Sequence, residues 1–120
     1  MKFFLLLVLS FAVIFGFTTA NNSTTVQWDP NNQQLVNILN TGLEEAVAEA
    51  IQSEQILNCK YNWTKVTSVE NCNMAGMTSY SFSVLVGNNC LQDELLFDLS
   101  LIVDNDSGDI EINDFHIMPL

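Results

Sequence analysis

The stretch Met77-Thr78-Ser79-Tyr80-Ser81-Phe82-Ser83-Val84-Leu85-Val86-Gly87 decides the fold. Tyr80, Phe82, Val84 and Val86 fall on one face and Ser79, Ser81 and Ser83 on the other, the two-residue period of a half-buried strand. Downstream, residues 95–103 repeat the pattern, with Phe97, Leu99, Leu101 and Val103 set against Asp98 and Ser100. Upstream, residues 57–72 are rich in aromatic and β-branched side chains, with Cys59, Tyr61 and Trp63 on one face. There the phase slips near Thr64-Lys65, as a bulge would cause, and residues 110–118 slip again at Asn113-Asp114. The links at 73–76, 88–94 and 104–109 are short, so the strands form an antiparallel meander with one face buried.

Only one segment is available to cover that face. From Asn31 to about Gln55, Leu35, Leu39, Leu43, Ala46, Val47, Ala50 and Ile51 recur at helical spacing, with Thr41, Glu45, Ala48 and Gln52 opposite. Asp29 is placed to cap this helix and Pro30 to occupy its first position. Gly42 costs about 1 kcal/mol relative to Ala, which close packing against a neighbour would justify. Val26-Gln27-Trp28 reads as a short strand, preceded by loose polar residues. The expected fold is therefore α+β: one long helix across a four-stranded antiparallel meander, with a short N-terminal strand, in a single domain over residues 21–120.

Residues 1–20 read as a secretory signal peptide. Met1-Lys2 is a minimal basic start, residues 3–17 are almost continuously apolar, and Thr18-Thr19-Ala20 supplies small residues for cleavage. The run is too short for a membrane anchor. It carries five of the eight Phe, so the positive mean hydropathy of the chain comes largely from it. Beyond it, Lys60 and Lys65 face all fourteen Asp and Glu, with no Arg. Nucleic acid and anionic membranes, which need clustered cations, are poor partners. The acidity reads as solubility and self-repulsion, with a basic partner as the alternative. Roughly 100 mature residues can bury about 60–70% of the surface of the unfolded chain.

Catalysis and cofactors find little support. There is one His, no spacing that implies a Ser-His-Asp set, and no glycine-rich phosphate loop. Asp104-Asn105-Asp106-Ser107-Gly108-Asp109 has the composition of a calcium loop. Aligning Gly108 with the turn glycine of such a loop, however, places Val103 where the first carboxylate belongs and Asp114 where a Glu belongs. A hairpin turn with Gly at positive φ accounts for the same residues better. No metal or cofactor is expected, and His116 reads as a strand residue.

Cys59, Cys72 and Cys90 are an odd set for an exported chain. If the hairpin sets Cys72 opposite Met77, the same register sets Cys59 opposite Cys90 and within disulfide reach. Cys59 and Cys72 are separated by about 43 Å of extended strand. The expected bridge is Cys59–Cys90. Cys72, at a hairpin tip, is either a small residue without a role or a thiol able to react or to link a dimer; the protein is otherwise expected to be a monomer. The sequence also contains glycosylation acceptor triplets, best placed at Asn62-Trp63-Thr64 and Asn105-Asp106-Ser107, with others at Asn21 and Asn22.

The order of elements resembles the cystatins, secreted inhibitors of papain-like cysteine proteases. The resemblance runs loosely from Val26 to Ile117 and is clearest around Cys72-Asn73-Met74-Ala75-Gly76. Cystatins place a Gln-x-Val-x-Gly hairpin at this point, and here Cys72 takes the Gln position, Met74 the Val position, and Gly76 agrees. The resemblance implies a wedge that enters the protease cleft without offering a scissile bond. By position, its first loop is Cys72, Asn73, Met74, Ala75 and Gly76, and its second is the 104–109 loop with Asp106, Ser107 and Gly108 at the tip. Met74 and Ala75 would supply apolar contacts, and unbranched Met adapts to a subsite. The chain departs from the family in having no Gly in its N-terminal trunk, no Pro-Trp in the second loop, and no Cys after Cys90.

Three functions follow as expectations. The first is a secreted cysteine-protease inhibitor. The second is a non-inhibitory secreted binding or effector protein on the same scaffold, which the departures favour. The third, an enzyme of the helix-on-curved-sheet type, would need convergent catalytic groups that a chain with one helix and one His does not offer. Side-by-side loop tips would favour the first, and a deep apolar cavity under the helix would favour ligand binding.

Overall fold

The alternating segments all become strands. The computed structural model describes residues 23–120, in which β1 (Thr24–Thr25), α1 (Gln33–Gln52), β2 (Tyr61–Met74), β3 (Met77–Asn88), β4 (Leu95–Asp104) and β5 (Ile110–Pro119) follow in chain order. The expected leader and the triplets at Asn21 and Asn22 lie outside the described residues. The sheet is antiparallel throughout, in the order β1-β2-β3-β4-β5. It thus has five strands rather than four. The N-terminal strand joins it and lies earlier than Val26-Gln27-Trp28, because Thr24 and Thr25 pair with Asn71 and Glu70. The Val26 amide still donates to the Val69 carbonyl at 2.8 Å, after which the chain turns in. There Trp28 meets Trp63 edge-on, with ring centroids 5.6 Å apart.

The helix lies over β4 and β5 and buries Leu35, Ile38, Leu39, Leu43, Ala46 and Ala50. These meet Val69, Phe82, Val84, Val86, Phe97, Leu99, Leu101 and Ile112 from the sheet, forming one core. Val47 is only half-buried, and Ile38 belongs to the buried face instead. The closest approach is at Gly42: a Cβ there would stand 2.5 Å from Leu101 Cδ1 and 2.7 Å from Cδ2. Trp63 Nε1 donates to Asn40 Oδ1 at 2.8 Å, tying β2 to the side of the helix.

Both helix ends differ from expectation in a physically legible way. The cap is Asn32, whose Oδ1 accepts from the Leu35 amide at 3.3 Å. Asp29 instead accepts from the Asn31 amide two residues on, closing a turn that delays the helix. At the far end the Gln55 amide donates to Ala50 O and the Glu54 amide to Ile51 O. This is the paired closure in which a residue after the helix takes a left-handed conformation. Glu54 takes it, at φ 63°, where glycine is usual.

Two bulges set the register of β2 on β3. The first falls between Trp63 and Lys65, where the slip was expected, and the second between Val66 and Ser68. Each extra residue is a threonine. Thr67 Oγ1 donates to Ser83 O of the facing strand at 2.9 Å, while Thr64 Oγ1, 3.3 Å from Leu85 O, has the Glu94 carboxylate as its nearer acceptor. In β5 the extra residue is Asn113, between the partners of Ser100 and Leu101. The turn joining β2 to β3 is tighter than the four residues expected. Met74 pairs with Met77, leaving a two-residue loop of Ala75 and Gly76. At that tip the register is two residues away from one that sets Cys72 opposite Met77, and the two bulges remove the difference. Cys59 and Cys90 therefore meet, with Cα atoms 5.9 Å apart and the disulfide formed.

Candidate functional site

The residues expected to form a binding edge converge at one end of the sheet. Gly76 has φ 74°, the positive value required at the second central position of such a turn, and a Cβ there would touch nothing within 4 Å. The tip is thus bare backbone flanked by Met74 and Met77, which are 42% and 43% exposed.

The second loop lies directly beside it. Met77 pairs with Asp104, and the Asn105 amide donates to the Gly76 carbonyl at 3.0 Å. Buried Thr78 reinforces the join, its hydroxyl 2.9 Å from Asn105 Oδ1 and 3.2 Å from Asn73 Oδ1. The sequence carries no local sign of this role. Thr78 alternates like any strand residue, and only the register reveals that it bridges two turns. The second loop is also closed internally: Asp104 Oδ1 accepts from the Asp106 and Ser107 amides at 2.9 and 3.2 Å, and Ser107 Oγ from the Asp109 amide. Gly108 takes φ 78°. These bonds make it a hairpin turn built on Asp104, and no group of three or more His, Cys, Asp or Glu among the described residues is arranged to hold a metal ion.

The third participant is β1. It pairs with Glu70 and Asn71, three to four residues before Met74, and with Ser23 Oγ bonded to Glu70 Oε1 at 3.3 Å it lies on the edge of β2 that leads to the turn. Asn73, Met74, Ala75, Gly76, Asp106, Ser107 and Gly108 are exposed at the two turns. Cys72 differs from the expectation. It stands in the ladder opposite Ser79, two pairs before the turn, half-buried and unbridged. Of the glycosylation triplets, Asn62 is exposed on β2 and Asn105 is exposed in the second loop.

The opposite end of the sheet is organised differently. The Cys59–Cys90 bridge joins the segment after the helix to the β3–β4 connection. The Asn89 Oδ1 accepts from the Lys60 amide at 2.9 Å, and Asn88 Oδ1 accepts from the amides of Cys90 and Leu91. Tyr61 donates its hydroxyl to Leu57 O at 2.8 Å, and desolvation pushes its phenol above the ordinary value of 10.0. No described helix is long and apolar enough to cross a membrane. No protein-family model matches the chain, and no curated protein matches it in sequence.

Proposed function

We propose that this chain is a secreted, cystatin-like inhibitor of papain-like cysteine proteases, acting as a monomeric wedge. The observation that carries the reading is that the Ala75-Gly76 turn and the 104–109 loop lie side by side at one end of the sheet, with the Asn105 amide bonded to Gly76 O and β1 on the neighbouring edge of β2. Such an edge can fill a cleft by shape, with the unbranched side chains of Met74 and Met77 seated in apolar subsites and the bare Gly76 backbone passing close to the catalytic groups. Inhibition of this kind requires no chemistry from the inhibitor. A cross-linked edge also loses little freedom on docking, which keeps the entropic cost of binding low. The disulfide fits an oxidising, exported setting.

A second reading, a non-inhibitory binding protein on the same scaffold, draws on the second loop. Asp104, Asp106 and Asp109 make it acidic, and Asn105-Asp106-Ser107 would set a glycan at the edge. The two readings separate in one experiment: titration of papain and a cathepsin L-like protease with the exported, oxidised protein and with its Ala75→Glu variant. Ala75 is exposed and outside the left-handed region, so the variant keeps the turn. Reversible inhibition by the native protein that falls at least tenfold in the variant supports the wedge. Absence of inhibition at high micromolar concentration favours the second reading.

A further inference from the structure

At the other end of the sheet, a groove of about 1040 Å³ opens between the residues that follow α1, the β3–β4 connection and the end of β5. Its apolar lining comes from half-buried Ile51, Leu95 and Ile117 and from exposed Leu57 and Leu91. Leu57 and Leu91 are 57% and 55% exposed. Of the six large exposed apolar side chains among the described residues, Leu57, Leu91 and Leu120 line this groove. Monomeric proteins seldom gather such residues without a use for them.

The walls are held in place before anything binds. Leu91 is presented by a connection whose amides are fixed by Asn88 Oδ1 and whose base is fastened by the Cys59–Cys90 bridge. Leu57 precedes the same bridge, and its carbonyl is held by Tyr61. Among the described residues, the acidic side chains lining the groove are Glu54, Asp93 and Glu94, of which Glu94 also accepts from the Thr64 hydroxyl, and no basic side chain lines it. A groove that mixes apolar side chains with neutral polar ones and carries acidic but no basic residues in its described lining disfavours fatty acids and acidic peptides, and it complements a ligand that carries positive charge beside apolar bulk.

We propose that this groove is a second docking site, separate from the protease edge, that takes a basic amphipathic segment of a partner protein. Leucine-like side chains of the segment enter between Leu57 and Leu91, and its Lys or Arg residues lie over Glu54, Asp93 and Glu94. The site does not depend on the proposed inhibition.

The test follows amide resonances of the exported, oxidised protein on addition of the peptide acetyl-Lys-Leu-Leu-Lys-Leu-Lys-amide, with acetyl-Glu-Leu-Leu-Glu-Leu-Glu-amide as control. Shifts confined to residues 54–58, 90–95 and 117 are expected from the basic peptide, and none from the acidic one. Leu91→Ser, at an exposed position, should weaken binding about tenfold, as loss of one buried leucine contact does. Glu54→Gln should weaken binding and flatten its salt dependence, leaving the melting curve within a few degrees of native. Three outcomes overturn the proposal: equal binding of the acidic peptide, shifts that spread over the acidic surface and survive Leu91→Ser, or no shift at millimolar peptide. Groove resonances that depend on protein concentration alone overturn it too, because the occupant would then be a second copy.

Discussion

Replacing Gly42 with Ala pits helix propensity directly against packing. On propensity alone the change favours the helix by about 1 kcal/mol. The added Cβ would, however, lie 2.5 Å from Leu101 Cδ1, 2.7 Å from Cδ2 and 3.1 Å from Cγ. Carbon atoms normally approach to about 3.5–4.0 Å, so the overlap is near 1 Å. Leu101 is completely buried and has no solvent into which to swing, so helix and sheet must separate or Leu101 must leave its rotamer. Overpacking of this kind costs about 1–3 kcal/mol, which leaves Gly42→Ala less stable by up to about 2 kcal/mol after the propensity gain of about 1 kcal/mol. Urea denaturation followed by the fluorescence of Trp28 and Trp63 would read this as a lowered midpoint with unchanged slope. Leu101→Ala supplies the control. Alone it costs about 2–5 kcal/mol, but with Gly42→Ala the two changes should couple by at least about 1 kcal/mol, because the new methyl enters the space Leu101 vacated. A more stable Gly42→Ala protein, or strictly additive changes, would refute the packing argument.

Three further outcomes are expected. Glu54→Gly should stabilise the fold by about 1 kcal/mol, because φ 63° is strained for any residue with a Cβ; an unchanged urea midpoint would contradict this. Cys59→Ala with Cys90→Ala should cost about 3–4 kcal/mol on loop entropy for a sequence separation of 31, measured by the same denaturation; a loss below about 1 kcal/mol would mean that the bridge constrains little. In spectrophotometric titration, assigned by difference from Tyr61→Phe, the Tyr61 phenol should ionise above 10.0, through desolvation. Because its pKa is raised on folding, its stabilising contribution is complete below pH 10.0 and fades as pH rises through the folded value; ionisation at or below 10.0 would contradict this.

Much of this fold is legible in the chain because one face of each strand is buried and alternation records that directly. Tyr80-to-Val86 and Phe97-to-Val103 are read without error for this reason, and the slip at Asn113 appears as a break in phase. The bulge at Thr67 is harder to see, because a second extra residue soon after Thr64 blurs the phase instead of inverting it. The helix face is clear from leucine spacing, but its start is not. Asp29 and Asn32 are both good caps, and only the Asx turn at Asp29 decides between them. At the candidate edge, the glycines mark both turns. The link between them through Thr78 and Asn105 depends on register and leaves no local signature. The groove is illegible for a related reason: it forms where irregular segments meet, and irregular segments carry no period.

Hydrogen–deuterium exchange of the oxidised protein, alone and with an equimolar papain-like protease, tests the proposed wedge most directly. Protection confined to β1, residues 73–77 and residues 104–109, with residues 88–94 exchanging as in the free protein, is the predicted result. Exchange unchanged at the Ala75-Gly76 turn, or protection found only at the disulfide end, would contradict it.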